Sequence, residues 1–273
     1  MLGTFIITWR ESIEAALIVG ILLSYLSKTG GRAQFRYIYW GTFWAVLASL
    51  AFGGFSNLIA ALLQDYGQDL FEIGILVIAV VVLTHMVIWM HHNARELRGE
   101  LQHKAGQALA KHQLWALATV AFVGVFREGV ETVLFLWGLF LQGPQAAGGW
   151  SPLTGGILGI ALGVCMAYLF FRGFGHLDLR RFFRVTGVLL ILMAAGMLAT
   201  AIGKLVAAGF VPGLIEPVWN TSWLLDEGRM VGSLVKGLFG YRSSPSLIQL
   251  LVYLAYFPLV YLILRRQKHD LAQ

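Results

Sequence analysis

The sequence predicts an all-α, polytopic membrane protein: seven transmembrane helices, an inverted three-plus-three repeat plus a seventh helix, N-terminus outside and C-terminus cytoplasmic. Three observations predict it. Of the 273 residues, 58% are hydrophobic and 12% charged, about half the charged fraction of an ordinary soluble domain. Seven apolar runs each approach the roughly 20 helical residues needed to cross about 30 Å of hydrocarbon. A charged motif occurs twice, in the first and fourth of those runs.

The runs cover residues 4–26, 38–63, 70–90, 115–141, 154–172, 184–208 and 246–264. The first is expected to stay in the membrane rather than be removed as a signal peptide. No basic residue precedes it, and Arg10, Glu11 and Glu14 interrupt what would be its apolar core. Gly155, Gly159 and Gly163, spaced by four in the fifth run, allow a neighbouring helix to come close. After the sixth run comes a long loop with Trp219 and Trp223, residues suited to a membrane interface; within it, 230–239 is expected to form a short helix on the outer surface. The chain thus divides into 1–113, the first three spans and a cytoplasmic loop; 114–209, the next three spans; and 210–273, the outer loop, the seventh span and the tail.

Orientation follows from the loops. Lys28, Arg32 and Arg36, then Arg95, Arg98, Lys104 and Lys111, then Arg172, Arg180, Arg181 and Arg184, and finally Arg265, Arg266 and Lys268 all fall on one side, which the positive-inside rule makes cytoplasmic. The expected location is the inner (cell) membrane, with the lipid bilayer as first partner. A net charge of +6 forms no continuous basic stripe, so nucleic acid is not expected as a partner. The single cysteine, Cys165, excludes a disulfide framework within one chain.

The repeated motif is R-E-x-x-E: Arg10, Glu11 and Glu14 in "WRESIEAALIVG", and Arg127, Glu128 and Glu131 in "GVFREGVETVLFLWG". One central charge in a span costs about 2.5 to 3.5 kcal/mol on insertion scales. The two copies lie in helices of opposite direction, and inverted repeats place substrate sites near the midplane between the halves. Residues three apart share a helix face, so each helix presents two carboxylates together at comparable depth. Four carboxylates against two guanidinium groups leave two negative charges to be protonated or met by a cation. Arg-Glu pairs also serve as simple helix fasteners, but fastening does not require surplus acid in both copies. Arg10 with Glu14, and Arg127 with Glu131, are four apart and suited to pairing, which leaves Glu11 and Glu128 as the more available ligands. Carboxylate oxygens without cysteine or histidine favour a hard cation.

Other residues give weaker signals. Asp65, Asp69 and Glu72 gather before and at the start of the third run, and Asp226 lies in the sixth loop beside Glu227; together they suggest an acidic vestibule that concentrates cations. Lys204 lies near enough to an outer helix end to snorkel. His85, Met86, Met90, His91 and His92 crowd the inner half of the third run and suggest an exit ligand set, against which Met86 and Met90 read as packing residues and His91 and His92 as interfacial; His103 and His112 are loop residues. Gly203-Lys204 lacks the phosphate-cradling loop pattern, so no nucleotide site is expected.

The doubled motif, together with "LFEIGILVIAVVVLTHMVIWM", "FFRVTGVLLILMAAGM" and "GLFGYRSSPS", resembles the oxidase-dependent iron permeases, the family of the yeast-type high-affinity iron permease and its bacterial EfeU-like relatives. The resemblance spans nearly the whole chain. It implies iron as transported substrate rather than cofactor, bound by Glu11, Glu14, Glu128 and Glu131 with Arg10 and Arg127 as supporting ion pairs, and no catalytic residues. It also implies an external oxidase or peroxidase and a periplasmic iron-binding partner. Two departures stand out: "AIGKL" replaces a His-Glu stretch late in the sixth helix, and Ser12 replaces the glycine of the first motif while Gly129 keeps it in the second. The competing expectations are a transporter of manganese, lead or another divalent metal, a membrane di-iron oxidase, and a metal sensor. The oxidase fits less well, since such sites use Glu-x-x-His and the i+3 residue here is glutamate both times.

Overall fold

A computed structural model of the chain describes residues 2–63, 66–93, 97–110, 113–142, 152–171, 179–227 and 230–270. The regular structure of the described residues is helical, with no strand: α1 (Leu2–Lys28), α2 (Phe35–Leu62), α3 (Tyr66–Asn93), α4 (Leu97–Ala110), α5 (Leu114–Phe140), α6 (Pro152–Phe171), α7 (Leu179–Ala207), α8 (Met230–Phe239) and α9 (Leu247–Asp270), with a 3-10 turn at Arg32–Gln34 before α2. Helices α1, α2, α3, α5, α6, α7 and α9 fall on the seven apolar runs. Among the described residues, four stretches are both long and apolar enough to cross a membrane: Arg32–Ala60, Gly67–Met90, Arg184–Ala207 and Leu247–Arg266. The apolar stretch Leu153–Leu169 of α6 is shorter. Helices α1 and α5 are long enough, at 27 residues each, but the motif puts three charges into the middle of each. The protein is a helical membrane protein.

Two short helices complete the pattern. Helix α8 occupies the predicted 230–239. Helix α4 lies in a segment expected to be loop, and Leu101, Ala105 and Ala108 on it are buried. Their spacing of four and three is a helical stripe, overlooked because the segment is too polar to span a membrane.

The most extensive helix contacts are α1 with α6, α2 with α5 and α3 with α7, followed by α1 with α5. Exchanging α1 with α5, α2 with α6 and α3 with α7 leaves this set unchanged. Small residues permit the tightest crossings. A β-carbon on Gly159 would meet Phe5 O at 2.6 Å and Trp9 N at 2.9 Å, and one on Gly163 would meet the Ser12 β-carbon at 2.7 Å and Trp9 O at 2.8 Å. Across α2 and α5 the roles reverse, with Gly129 against the Ser49 β-carbon at 2.6 Å. Ser12 therefore fits in the first motif because α6 supplies the glycine.

Two apolar cores form on this frame. One joins Ile7 of α1 and Phe135 and Leu139 of α5 to Leu76, Val80 and Leu83 of α3, Leu190 and Met193 of α7, and Tyr256 and Val260 of α9. The other joins Ile18, Leu22 and Leu26 of α1 to Ile38, to Leu101, Ala105 and Ala108 of α4, and to Leu117 and Ala121 of α5. Along α1 the motif at 10–14 falls between Ile7 and Ile18; along α5 the motif at 127–131 falls between Ala121 and Phe135. The charged layer thus lies between two apolar ones.

Candidate metal centre

Helical spacing turns the motif glutamates of α1 and α5 inward, and the close contact of these two helices brings the copies together. Glu11, Glu14, Glu128 and Glu131 are all buried, as is Arg10. One carboxylate oxygen each from Glu11, Glu128 and Glu131 lie within 4.8 Å of one another.

Arg10 serves its own helix. Its Nη1 donates to Glu11 Oε1 at 2.8 Å, and its Nη2 lies 2.8 Å from Glu14 Oε1, an ion pair out of line for a hydrogen bond. Arg127 Nε donates to Glu131 Oε1 at 2.8 Å. These ion pairs satisfy only part of the acid. Glu11 Oε2, Glu14 Oε1, Glu128 Oε2 and Glu131 Oε2 are buried without a hydrogen-bond donor. Leaving such an atom unmatched costs about 1 to 3 kcal/mol, more when charged, so a cation or protons must offset it.

Helix α3 contributes two groups that sequence reasoning did not assign to the site. The Met86 sulfur accepts a hydrogen bond from Arg10 Nη1 at 3.0 Å, and the Trp89 ring lies 5.1 Å from the Arg127 guanidinium carbon. They are three apart and share a face, so one turn of α3 touches both arginines. Met86, read as packing from its sequence setting, is buried but also holds a charged donor. The signal available in the sequence was this i, i+3 pair on one face of α3.

The remaining expected residues are dispersed. Asp65 lies outside the described residues. Asp69 is exposed in the first turn of α3. Glu72 is not a free acid at the mouth: Lys204 Nζ lies 2.5 Å from its Oε2 and Gln68 Nε2 donates to its Oε1 at 3.1 Å. Lys204, expected to snorkel to water, instead ties α7 to α3, because a carboxylate lies within its reach. Asp226 is exposed in the loop after α7. Beside it, Glu227 accepts from Lys236 Nζ at 2.6 Å and from Ser243 N and Oγ at 2.6 and 2.9 Å. His85 is exposed and Met90 buried; His103 faces Gln107 on α4 at 2.9 Å. The side chains of His91 and His92, and all of His112, lie outside the described residues. Gly159 and Gly163 meet α1 as their spacing predicts.

Comparison with known proteins agrees with this chemistry. The chain is 36% identical over 259 residues to the ferrous iron permease EfeU of Escherichia coli O157:H7, covering 94% of this chain and 92% of that protein. It is 34% identical to the ferrous iron permease EfeU of Yersinia pestis, covering 94% and 90%. No solved structure matches the chain. The family described as "Iron permease FTR1 family" matches residues 1–266, and the chain belongs to that family.

Proposed function

We propose that this protein carries iron inward across the cell membrane, binding it between α1 and α5 at the doubled R-E-x-x-E motif. The observation that carries this reading is the set of buried carboxylate oxygens lacking donors, three of whose carboxylates converge within 4.8 Å. Glu11, Glu128 and Glu131 form the core of the ligand set; Glu14, held by Arg10, stands beside it. Family membership names the cargo, which neither residue counting nor geometry does alone. Iron is substrate here, and the protein is a transporter rather than an enzyme.

The seven long helices are read as seven spans, with the N-terminus outside and the basic loops in the cytoplasm. The exchange symmetry of the helix contacts supports two inverted halves, α1 to α3 and α5 to α7. A charged layer closed on each side by an apolar core suits alternating access, in which one core parts while the other stays packed. The membrane potential supplies about 2.3 kcal/mol per charge per 100 mV. Asp69 and Asp226, with Asp65 and Glu72, are proposed to enrich cations at the mouth, Glu72 only when Lys204 releases it. The resemblance further proposes an external oxidase or peroxidase and a periplasmic iron-binding protein as partners.

The test is radioactive iron flux into vesicles containing only the purified chain, with ferrous and ferric forms compared and manganese as competitor. Glu11→Gln and Glu128→Gln should each reduce uptake about 100-fold, at the upper end of changes at a metal site, with membrane insertion unchanged. Normal uptake by either variant would refute the site.

A further inference from the structure

Met86 of α3 reaches Arg10 of the motif through its sulfur. Its thioether and Glu11 Oε1 accept from the same Arg10 nitrogen, at 3.0 and 2.8 Å. The two acceptors therefore already converge on one positively charged point. Arg10 holds Glu14 through its other terminal nitrogen, so Nη1 can leave Glu11 and Met86 while Nη2 keeps the guanidinium anchored. One oxygen of each of the trio, Glu11 Oε2, Glu128 Oε2 and Glu131 Oε2, is buried and donor-free.

We propose that Met86 is a ligand of the transported cation. Its Sδ joins Glu11, Glu128 and Glu131 when the incoming ion takes the place of Arg10 Nη1, and so sets the selectivity of the site. The inference rests on the carboxylate reading above. Three carboxylates alone suit magnesium, calcium and manganese as well as iron, whereas a thioether favours softer ions. One sulfur among oxygens therefore tilts the site toward ferrous iron, an ion of intermediate softness, and away from ferric iron and the hard divalent ions. Arg10 serves meanwhile as an internal counter-ion: it holds the same sulfur and the same oxygen until the cargo arrives. The neighbours of Met86 on its own face do not supply this function. Leu83 is apolar and fully buried, and Trp89 lies over the other arginine.

The experiment uses the full chain in vesicles, with ferrous uptake measured against excess manganese and calcium for wild type, Met86→Leu and Met86→Gln. Leucine keeps the volume of the side chain and removes the sulfur; glutamine keeps the length and supplies a harder donor. Both variants are expected to transport, with the preference for ferrous iron over manganese lowered roughly tenfold, the lower end for changes around a metal site. The glutamine variant should be the less selective of the two. X-ray absorption at the iron edge of the loaded protein should show one sulfur neighbour in wild type and none in Met86→Leu. Unchanged selectivity in both variants, or no sulfur neighbour in the wild type, would overturn the role of Met86 and leave the carboxylate site intact. A wild type that neither binds nor transports iron would overturn the carboxylate site, and the ligand role with it.

Discussion

The two copies of R-E-x-x-E have the same letters and different surroundings. In α1 the side chain of Arg10 is 1% exposed and is held by Glu11, Glu14 and Met86. In α5 the side chain of Arg127 is 42% exposed, pairs with Glu131 and lies over Trp89. A doubled motif sets the order of the charges but not how deeply each is enclosed. That depends on what packs outside it. The partners of Arg10 are two carboxylates of its own helix and the Met86 sulfur of α3, whereas Arg127 has one carboxylate and the Trp89 ring. Residues with the same place in the motif thus differ in what they hold: Arg10 binds two buried carboxylates, and Arg127 one.

The sharpest way to break this comparison is to remove each arginine in turn. Arg10→Leu leaves two buried carboxylates uncompensated and should destabilise the protein by about 3 to 5 kcal/mol, read as lost yield in the membrane and a lower unfolding temperature in detergent. Arg127→Leu leaves one buried carboxylate, that of Glu131, without its partner, against two for Arg10, and should cost less, about 1 to 3 kcal/mol. Equal losses in the two variants would mean that the difference in burial carries no energetic weight.

A second test addresses the helix crossings behind the motifs. Gly129→Ser puts a serine on both sides of the α2 and α5 crossing and should cost about 1 to 3 kcal/mol through overpacking. Adding Ser49→Gly copies the Ser12 and Gly163 arrangement of the other half and should restore most of that loss. A double variant no better than the single one would show that the two crossings are not interchangeable.

The fold was more legible in the sequence than the site. Helix positions follow from apolar runs whose length is dictated by hydrocarbon thickness, a constraint acting on every span separately. The exception, α4, is a short helix whose burial comes from α1 and α5, so its role shows only once those helices are placed. The motif named four glutamates because i and i+3 share a face. It did not say that Arg10 would hold both Glu11 and Glu14, nor that Glu131, although paired, would still turn an oxygen toward Glu11 and Glu128. Those outcomes depend on the distance between helices, which no single helix encodes. Met86, Trp89 and the Lys204–Glu72 pair were missed for the same reason: each is a contact between chain segments far apart in sequence.

A smaller effect is expected at Glu72, one of the acids of the proposed vestibule, which Lys204 already neutralises, unlike the acid of the buried layer. Lys204→Met removes the cation 2.5 Å from Glu72 and frees a carboxylate to attract incoming ions. The half-saturating iron concentration should fall by about threefold, equivalent to roughly 0.6 kcal/mol. A rise would assign Lys204 a structural role between α3 and α7 instead.

An effect confined to a pH window separates the loop around α8 from the buried layer by its response to acid. Burial alone would raise the Glu227 carboxyl, but Lys236 and the backbone and hydroxyl of Ser243 outweigh it and hold it below the ordinary carboxylate range. A carboxyl lowered by folding contributes stability that is complete above its unfolded value, about 4.3, and lost as pH falls through the folded value beneath it. Charged hydrogen bonds of this kind are worth about 1.5 to 3 kcal/mol each before the cost of burial, so the net contribution should be about 1 kcal/mol. The protection factor of the Ser243 amide, whose N–H donates to Glu227 Oε1, should be high at pH 6 and fall below about pH 4 by more than those of neighbouring amides. Glu227→Gln should abolish the acid-dependent part while leaving α1 and α5 unaffected, because no motif carboxylate takes part. If the acid response persists in that variant, the loop is held by something other than this carboxylate, and the contrast between an anchored outer loop and an unsatisfied buried layer loses its basis.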